Sequence, residues 1–276
     1  MAEAEKLNPR TTLRRFPPVH KFEKPTLEIE VHGATHIGGR ENNEDTFHTW
    51  ASGGMVADGM GGMFKGEVAS GHVKQAFQAN ETRLVKEPQK LPDIIEAAHQ
   101  AIMSDTTIPF IGFGRHAGNE KSGGSTVASL TIDAGKKEGH IAHVGDSRVY
   151  RLRGGALELL TTDHTAAQTM RDLGVEEKKA SLYENVLSKS LGGTDHEPDV
   201  KKVDVRHGDV FAIVSDGWRT LSEDQLKERL AKAKSAKEAA EGIVRAADAA
   251  GKAKGGEHDN ITAVVLRVFA KQQKKS

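Results

Sequence analysis

The chain contains no cysteine, no excess of either charge and no long apolar run. Each absence closes a class of function. Without cysteine there is no disulfide, no thiolate metal site and no cysteine nucleophile. Lys+Arg and Asp+Glu both number 39, so the formal net charge is zero. The basic excess of a general nucleic-acid binder is therefore missing. No hydrophobic stretch approaches the roughly 20 residues that a membrane helix needs. Residues 1–26 carry charges and prolines but no apolar segment of the kind that marks an export signal. The expectation is a cytoplasmic, monomeric chain with no nucleic-acid or membrane partner. What is present, 37% hydrophobic and 28% charged residues in a chain of 276, describes a soluble globular protein. That length suits a single large β-containing domain.

The pattern becomes regular after Pro25. Residues 27–37 alternate as a half-buried strand does, and residues 46–57 hold two short strands around Ser52-Gly53-Gly54. Residues 66–85 and 91–104 read as helices. Val73, Ala76, Phe77 and Leu84 share a face of the first, and Ile94, Ile95, Ala98 and Ile102 share a face of the second. STVASLTID is a strand, and GHIAHVGDSRVYRLRGGALELL reads as strands joined by turns at GDS and RGG. Residues 163–190 are polar and mixed, with a short helical look. Residues 209–215 form an apolar strand, 222–250 a helix with Gly251 as its stop, and ITAVVLRVF the last strand. Strands outnumber helices and are joined by short turns. This favours an α+β fold of antiparallel sheets with helices packed outside. The expected boundaries are a flexible arm over 1–26, a domain over 27–270 and a charged tail over 271–276.

Acids sit where strands end. Asp58 closes MVAD before Gly59, Asp216 closes VFAIVSD before Gly217, and Asp259 precedes Asn260 and the strand ITAVVL. Asp146 lies in VGDSR, and Glu44 and Asp45 stand at the entry to TFHTW. Each acid alone is an ordinary turn residue. In antiparallel sheets, however, the end of one strand lies beside the start of its neighbour, so the set can share one rim. Carboxylates gathered so closely repel one another, and cations relieve the repulsion. All-oxygen ligands suit Mg²⁺, Mn²⁺ or Ca²⁺ rather than zinc. The glycines beside Asp58, Asp146 and Asp216 let the backbone approach closely.

GGRENNEDTF, VADGMGGMFKGEVAS, GGSTVASLTI, AHVGDSRVYRL, LTTDHT, LSKSLGG, IVSDGW and DNITAVVL follow one another from about Gly38 to Val268. In that order they resemble the metal-dependent serine/threonine protein phosphatases of the PP2C (PPM) family, bacterial type. The resemblance implies a four-layer α-β-β-α sandwich with two Mn²⁺ or Mg²⁺ ions between the sheets. It implies hydrolysis of phosphoserine and phosphothreonine in proteins by a metal-activated water, opposite a serine/threonine kinase. By motif, Asp58 matches the carboxylate bridging both ions, the Gly59 carbonyl a ligand of the second, and Asp216 and Asp259 ligands of the first. Glu44 is placed near the second ion through water, Asp45 holds the water network, and Arg40 grips the substrate phosphate. Asp146 matches the residue that, with Asp216, builds a third, weaker ion site. Residues 163–190 match the variable flap, where substrate choice is expected. Three positions depart from the family. Met60 replaces the histidine of animal relatives, which leaves the leaving group's proton to water or the third ion. Met63 replaces a frequent bacterial histidine and Trp218 a usual leucine, and these two put the pocket rim in question.

Other signals are weaker. GFGRHA at 112–117 fits a dinucleotide pattern but lacks a following helix. His258 reads as a solvated loop residue and Ser125 as strand-edge structure near the site. Two other function classes stay open: an inactive relative that binds phosphoproteins as a scaffold, and another two-metal hydrolase such as a phosphodiesterase. The first would have lost a metal ligand, and none of Asp58, Asp216 or Asp259 is missing. The second would recruit histidine ligands, and VADGMGGMFKGEVAS, IVSDGW and DNITAVVL contain none.

Overall fold

The computed structural model describes residues 27–61, 65–109 and 123–271. The N-terminal arm, Met63, the 112–117 motif and the tail beyond Lys271 lie outside the described residues. Eleven strands and seven α-helices are described, and the strands form two sheets. Sheet one orders β1 (Leu27–His36), β11 (Ile261–Ala270), β10 (Val210–Val214), β7 (Arg148–Arg153) and β8 (Ala156–Leu159). Sheet two orders β2 (Asp45–Trp50), β3 (Gly53–Met60), β5 (Val127–Asp133), β6 (Glu138–Val144) and β9 (Asp199–Asp204), with β4 (Gly124–Ser125) pairing to β3. All pairings are antiparallel.

Burial explains the layering. Val56, Ala128, Leu130 and Ile141 of sheet two meet Val149, Phe211, Ile213, Val264 and Leu266 of sheet one in a core between the sheets. The outer face of sheet two packs on α1 (Gly66–Ala79), α2 (Glu81–Lys86) and α3 (Leu91–Ser104) through Phe77, Leu84, Ile94, Ile95 and Ile102. The outer face of sheet one packs on α6 (Glu223–Lys232) and α7 (Ala236–Ala253) through Leu226, Leu230, Ala240, Ile243 and Ala247. The order is therefore helix, sheet, sheet, helix. β11 lies between β1 and β10 and is buried on both faces, which its run of β-branched residues suits. Phe211 is fully buried in the inter-sheet core. Phe211→Ala is expected to cost about 3–5 kcal/mol, and a urea melt that moves by much less would place that core elsewhere.

Several expectations change. The helix read over 222–250 is two helices, because Ala233 and Ser235 are extended and Ser235 caps a new start. Gly251 is not the stop: α7 runs to Ala253, and Gly251 is small because the His258 ring packs on it. The GDS turn does not make a hairpin, since β6 and β7 lie in different sheets. α4 (Ala166–Asp172) and α5 (Glu177–Ala180) occupy the polar stretch after β8. Among the described residues, no helix is long and apolar enough to cross a membrane.

His99 gives the sandwich a pH dependence. It is 4% exposed, stacks on His196 at 3.5 Å and accepts the Gly192 N–H at 3.2 Å. Burial, and then the His196 charge, hold it down to about 4, against an ordinary 6.5. A folded value below the unfolded one means that stability is full above about 6.5 and falls as pH drops toward 4. His99→Leu should flatten the acid limb of a urea-midpoint profile. An unchanged limb would remove His99 as its source.

Candidate active site

Strand ends bring the acids together. The register pairs Asp45, at the start of β2, with Asp58 near the end of β3. In the other sheet Val214, the last residue of β10, pairs with Ala263 of β11, and the Ser215 N–H reaches the Thr262 carbonyl at 3.0 Å. Asp216 leaves one strand where Asp259 enters the next. The 145–147 loop carries the chain from β6 in sheet two to β7 in sheet one and places Asp146 between them. Asp58, Asp146, Asp216, Asp259, Glu44, Gly59 and Arg40 line one cleft of about 1010 Å³. Asp45 does not line it. It stands behind the wall, 8% exposed.

The supports are mostly backbone. The Asp58 N–H donates to Thr126 Oγ1 at 3.1 Å, and the Thr126 N–H returns to the Asp58 carbonyl at 2.8 Å. The Gly59 N–H donates to the Glu44 carbonyl at 3.1 Å. A β-carbon on Gly59 would lie 2.2 Å from the Gly66 carbonyl oxygen, so only glycine lets the two segments meet. Ser215 Oγ donates to Asp45 Oδ2 at 2.7 Å and accepts the Thr262 N–H at 2.9 Å. Asn260 is the clasp of the lip. Its Nδ2 donates to the Ile37 and Asn42 carbonyls, its Oδ1 accepts the Glu44 N–H at 2.8 Å, and its N–H reaches Asp259 Oδ1. Arg40 Nη2 donates to Asp259 Oδ2 at 2.7 Å from an exposed position.

The cluster is electrostatically strained. Burial first, then Asp45, Asp216, Asp146 and Asp259, hold Asp58 well above the usual carboxylate range. Burial, against hydrogen bonds from Ser215 and Thr262, pushes Asp45 up to about 7. Burial and Asp216 push Asp146 up to about 7, and Asp216 is raised by burial and Asp259. Asp45 Oδ1 and Asp216 Oδ1 are buried without a hydrogen-bond partner. Crowded, dehydrated, oxygen-only donors with orphaned oxygens fit hard divalent cations, whose charge would let the carboxylates ionise together.

Several participants were not evident in the sequence. Thr126, Ser215 and Asn260 support the acids from beside them. Asn260 adjoins Asp259, which is a signal of sorts, but its partners lie more than 200 residues away. Ser125 pairs with Gly59, as the strand-edge reading expected. His258 is not solvated: its ring is buried, 2.9 Å from the Gly256 carbonyl and 3.2 Å from Asp248. Trp218 does not shape the cleft rim. It is buried against Tyr150 in the helix-facing core.

A second group, His143, His164 and Asp199, has ligand spacing. The tautomers argue against a metal there. His164 Nδ1 accepts the Gly145 N–H, so the neutral ring carries its proton on Nε2, 3.3 Å from Asp199. His143 Nε2 donates to the Thr162 carbonyl at 2.8 Å. A cation on His164 Nε2 would shift the proton to Nδ1 and orphan the buried Gly145 N–H beside Asp146. The group reads as a hydrogen-bonded brace for the 145–147 loop.

Residues 32–259 match the family model described as Protein phosphatase 2C. The chain is 32% identical over 237 residues to the serine/threonine protein phosphatase PstP of Mycobacterium tuberculosis, covering 83% of this chain and 43% of that protein. It is thus similar to less than half the length of that relative. It is 26% identical to the protein phosphatase PhpP of Streptococcus pneumoniae, over 70% of this chain and 80% of that one. The crystal structure of the PstP catalytic domain in complex with two manganese ions superposes with a TM-score of 0.72 at 29% identity, covering 88% of this chain and all of that one. The Staphylococcus aureus phosphatase Stp1 shares the fold at 20% identity and a TM-score of 0.70.

Proposed function

The chain belongs to the protein phosphatase 2C family, and from that premise we propose that it hydrolyses phosphoserine and phosphothreonine in proteins with two Mn²⁺ or Mg²⁺ ions. The observation that carries the reading is the single cleft where Asp58, Asp216, Asp259, Glu44 and the Gly59 backbone converge with an arginine at the lip. Asp58, the Gly59 carbonyl, Asp216, Asp259 and Glu44 would hold the ions. Bound there, the ions would supply Lewis-acid activation of a water and charge neutralisation on the phosphoryl oxygens.

The chain's own residues do the rest. Arg40 offers a planar guanidinium, and a phosphate oxygen entering beside Asp259 gains a charge-assisted hydrogen bond from it. Asp45 has one oxygen held by Ser215 and one without a protein partner, which suits it to order water behind Asp58. Met60 lines the cleft and has no proton to give, so the leaving alkoxide takes its proton from solvent. No protein nucleophile is needed, in keeping with the lack of cysteine.

Substrate choice is assigned to the flap over 163–190. Its Asn185, Val186 and Leu187 line the cleft. Five of the nine exposed large hydrophobic residues among those described fall between Leu173 and Val186. Such a concentration beside a polar cleft fits contact with a protein rather than a small ester. Leu182→Ser with Tyr183→Ser should lower kcat/KM on phosphoprotein while sparing p-nitrophenyl phosphate. Equal losses on both would reject the assignment. The partner class is then phosphorylated proteins made by a serine/threonine kinase, met by a monomer in the cytoplasm. The scaffold reading has no observation in its favour, since the acid set is complete.

The direct test is phosphate release from a phosphothreonine peptide after chelation, with and without added Mn²⁺, beside Asp216→Asn. Release that needs Mn²⁺ and collapses in the variant supports the reading. A folded protein that binds Mn²⁺ and releases nothing would sink it. Turnover of a cyclic dinucleotide in place of the peptide would favour a phosphodiesterase.

A further inference from the structure

Among the described residues, two arginines pair with carboxylates of the cleft, and they are built differently. Arg40 meets Asp259 from the solvent side, with its side chain 59% exposed. Arg219 meets Asp146 from within. Its Nη2 lies 3.4 Å from Asp146 Oδ2, 3.4 Å from the Asp146 carbonyl and 3.0 Å from Asp163 Oδ2. Asp163 is itself clamped, accepting from Arg148 Nε at 2.9 Å and Nη2 at 2.7 Å. Arg148 Nη1 donates to the Tyr150 hydroxyl at 3.0 Å, and that hydroxyl donates to Glu223 at 3.2 Å. The guanidinium of Arg219 thus ends a rack of alternating charge that runs from the α6 N-terminus into the cleft wall.

The chain reaches this arrangement locally. After Asp216 the backbone winds into a 3-10 turn, Asp216–Thr220. That turn buries Trp218 against Tyr150 and returns Arg219 toward Asp146. The rack has little freedom, because Asp163 and Asp146 are each 7% exposed at the side chain and Arg219 is 26% exposed. A tethered positive charge so close to Asp146 does what a bound ion would do there. It offsets part of the cost that burial and Asp216 place on the carboxylate and repels a dication that approaches it, and with restricted solvent access the repulsion is only partly screened. The charge is also permanent, since arginine does not lose its proton in proteins.

We propose that Arg219 is a tethered cation standing in for a metal ion at Asp146, so that the cleft takes its ions around Asp58 and binds any further ion at Asp146 only weakly. Arg219 acts through Asp146 and is a positioning residue, not a catalytic one. The proposal rests on the metal-dependent reading of the cleft. A neutral side chain at 219 should therefore open a cation site that the native chain suppresses.

The test is a direct Mn²⁺ binding isotherm on the full chain after chelation, by calorimetry and by electron paramagnetic resonance counting of free Mn²⁺. Arg219→Leu is expected to gain one bound Mn²⁺, or to tighten the weakest site tenfold or more. Arg219→Lys should keep the native isotherm. Adding Asp146→Asn to Arg219→Leu should erase the gain, whereas Asp146→Asn alone should leave the tightly bound ions of the native chain unchanged. This last arm keeps Arg219 and its bond to Asp163, and it guards against a leucine variant that fails to fold. Identical isotherms for the native chain and a folded Arg219→Leu would overturn the proposal while the metal reading stood. Loss of a tightly bound ion in Asp146→Asn alone would overturn it too. A native chain that binds no Mn²⁺ at all would bring down the metal reading, and this proposal with it.

Discussion

Asp58→Asn is expected to lower Mn²⁺-dependent phosphate release by about 10³-fold or more, at the upper end for loss of one preorganised electrostatic group. The same variant should melt at a higher temperature than the native chain once both are chelated. The two effects have one cause. Asp58 is half-buried in the cleft wall and faces four other carboxylates, so its charge is costly until cations arrive. Asparagine keeps the shape and its backbone bonds to Thr126 while removing the charge. In the proposed function Asp58 would trade stability of the ion-free fold for a ligand set. Added Mn²⁺ should reverse the order of melting, because ligand that binds only the native state stabilises it by mass action. A chelated Asp58→Asn that melts lower than the native chain would mean that the acid serves the fold. Full activity in the variant would mean that it serves nothing in the chemistry.

Arg40→Ala is the second large effect, with an expected loss of about 10²-fold in kcat/KM. Arg40 lies at the cleft lip and touches the protein through Asp259 alone among its described side-chain partners. Its removal should cost the fold little, since exposed ion pairs contribute about 0–1 kcal/mol. Activity and stability should therefore separate cleanly. Arg40→Lys should recover only part of the loss, because an ammonium group cannot present the two parallel donors of a guanidinium. Inhibition by inorganic phosphate should weaken in step with kcat/KM. Unchanged phosphate inhibition in Arg40→Ala would remove Arg40 from the phosphate site, whatever its activity.

Much of the site was legible because its logic is local. Asp58-Gly59, Asp216-Gly217 and Asp259-Asn260 each mark where an apolar strand stops or starts, and antiparallel geometry puts such points on one rim. The residues that hold the rim were not legible. Asn260 clasps Ile37, Asn42 and Glu44 across more than 200 residues, and no pattern at Asn260 names them. Asp45 reads like a cleft residue, yet pairing with Asp58 and capture by Ser215 set it behind the wall. β9 went unread because Asp-Val-Lys-Lys-Val-Asp lies at an exposed sheet edge and lacks an apolar face of its own.

By itself the sequence determined which segments alternate at period two or three to four, where they break, and that acids occupy the breaks. Those properties come from neighbours along the chain: side-chain direction, turn residues and apolar spacing. Only the tertiary structure decided which sheet each strand joined. β6 and β7 read as a hairpin, but burial of Ile141 and Val149 toward a common core sends them into opposite sheets. That choice swings Asp146 between the layers and brings it within reach of Arg219. Partnership of that kind is settled by which distant apolar faces bury each other, and no local window of the chain contains that information.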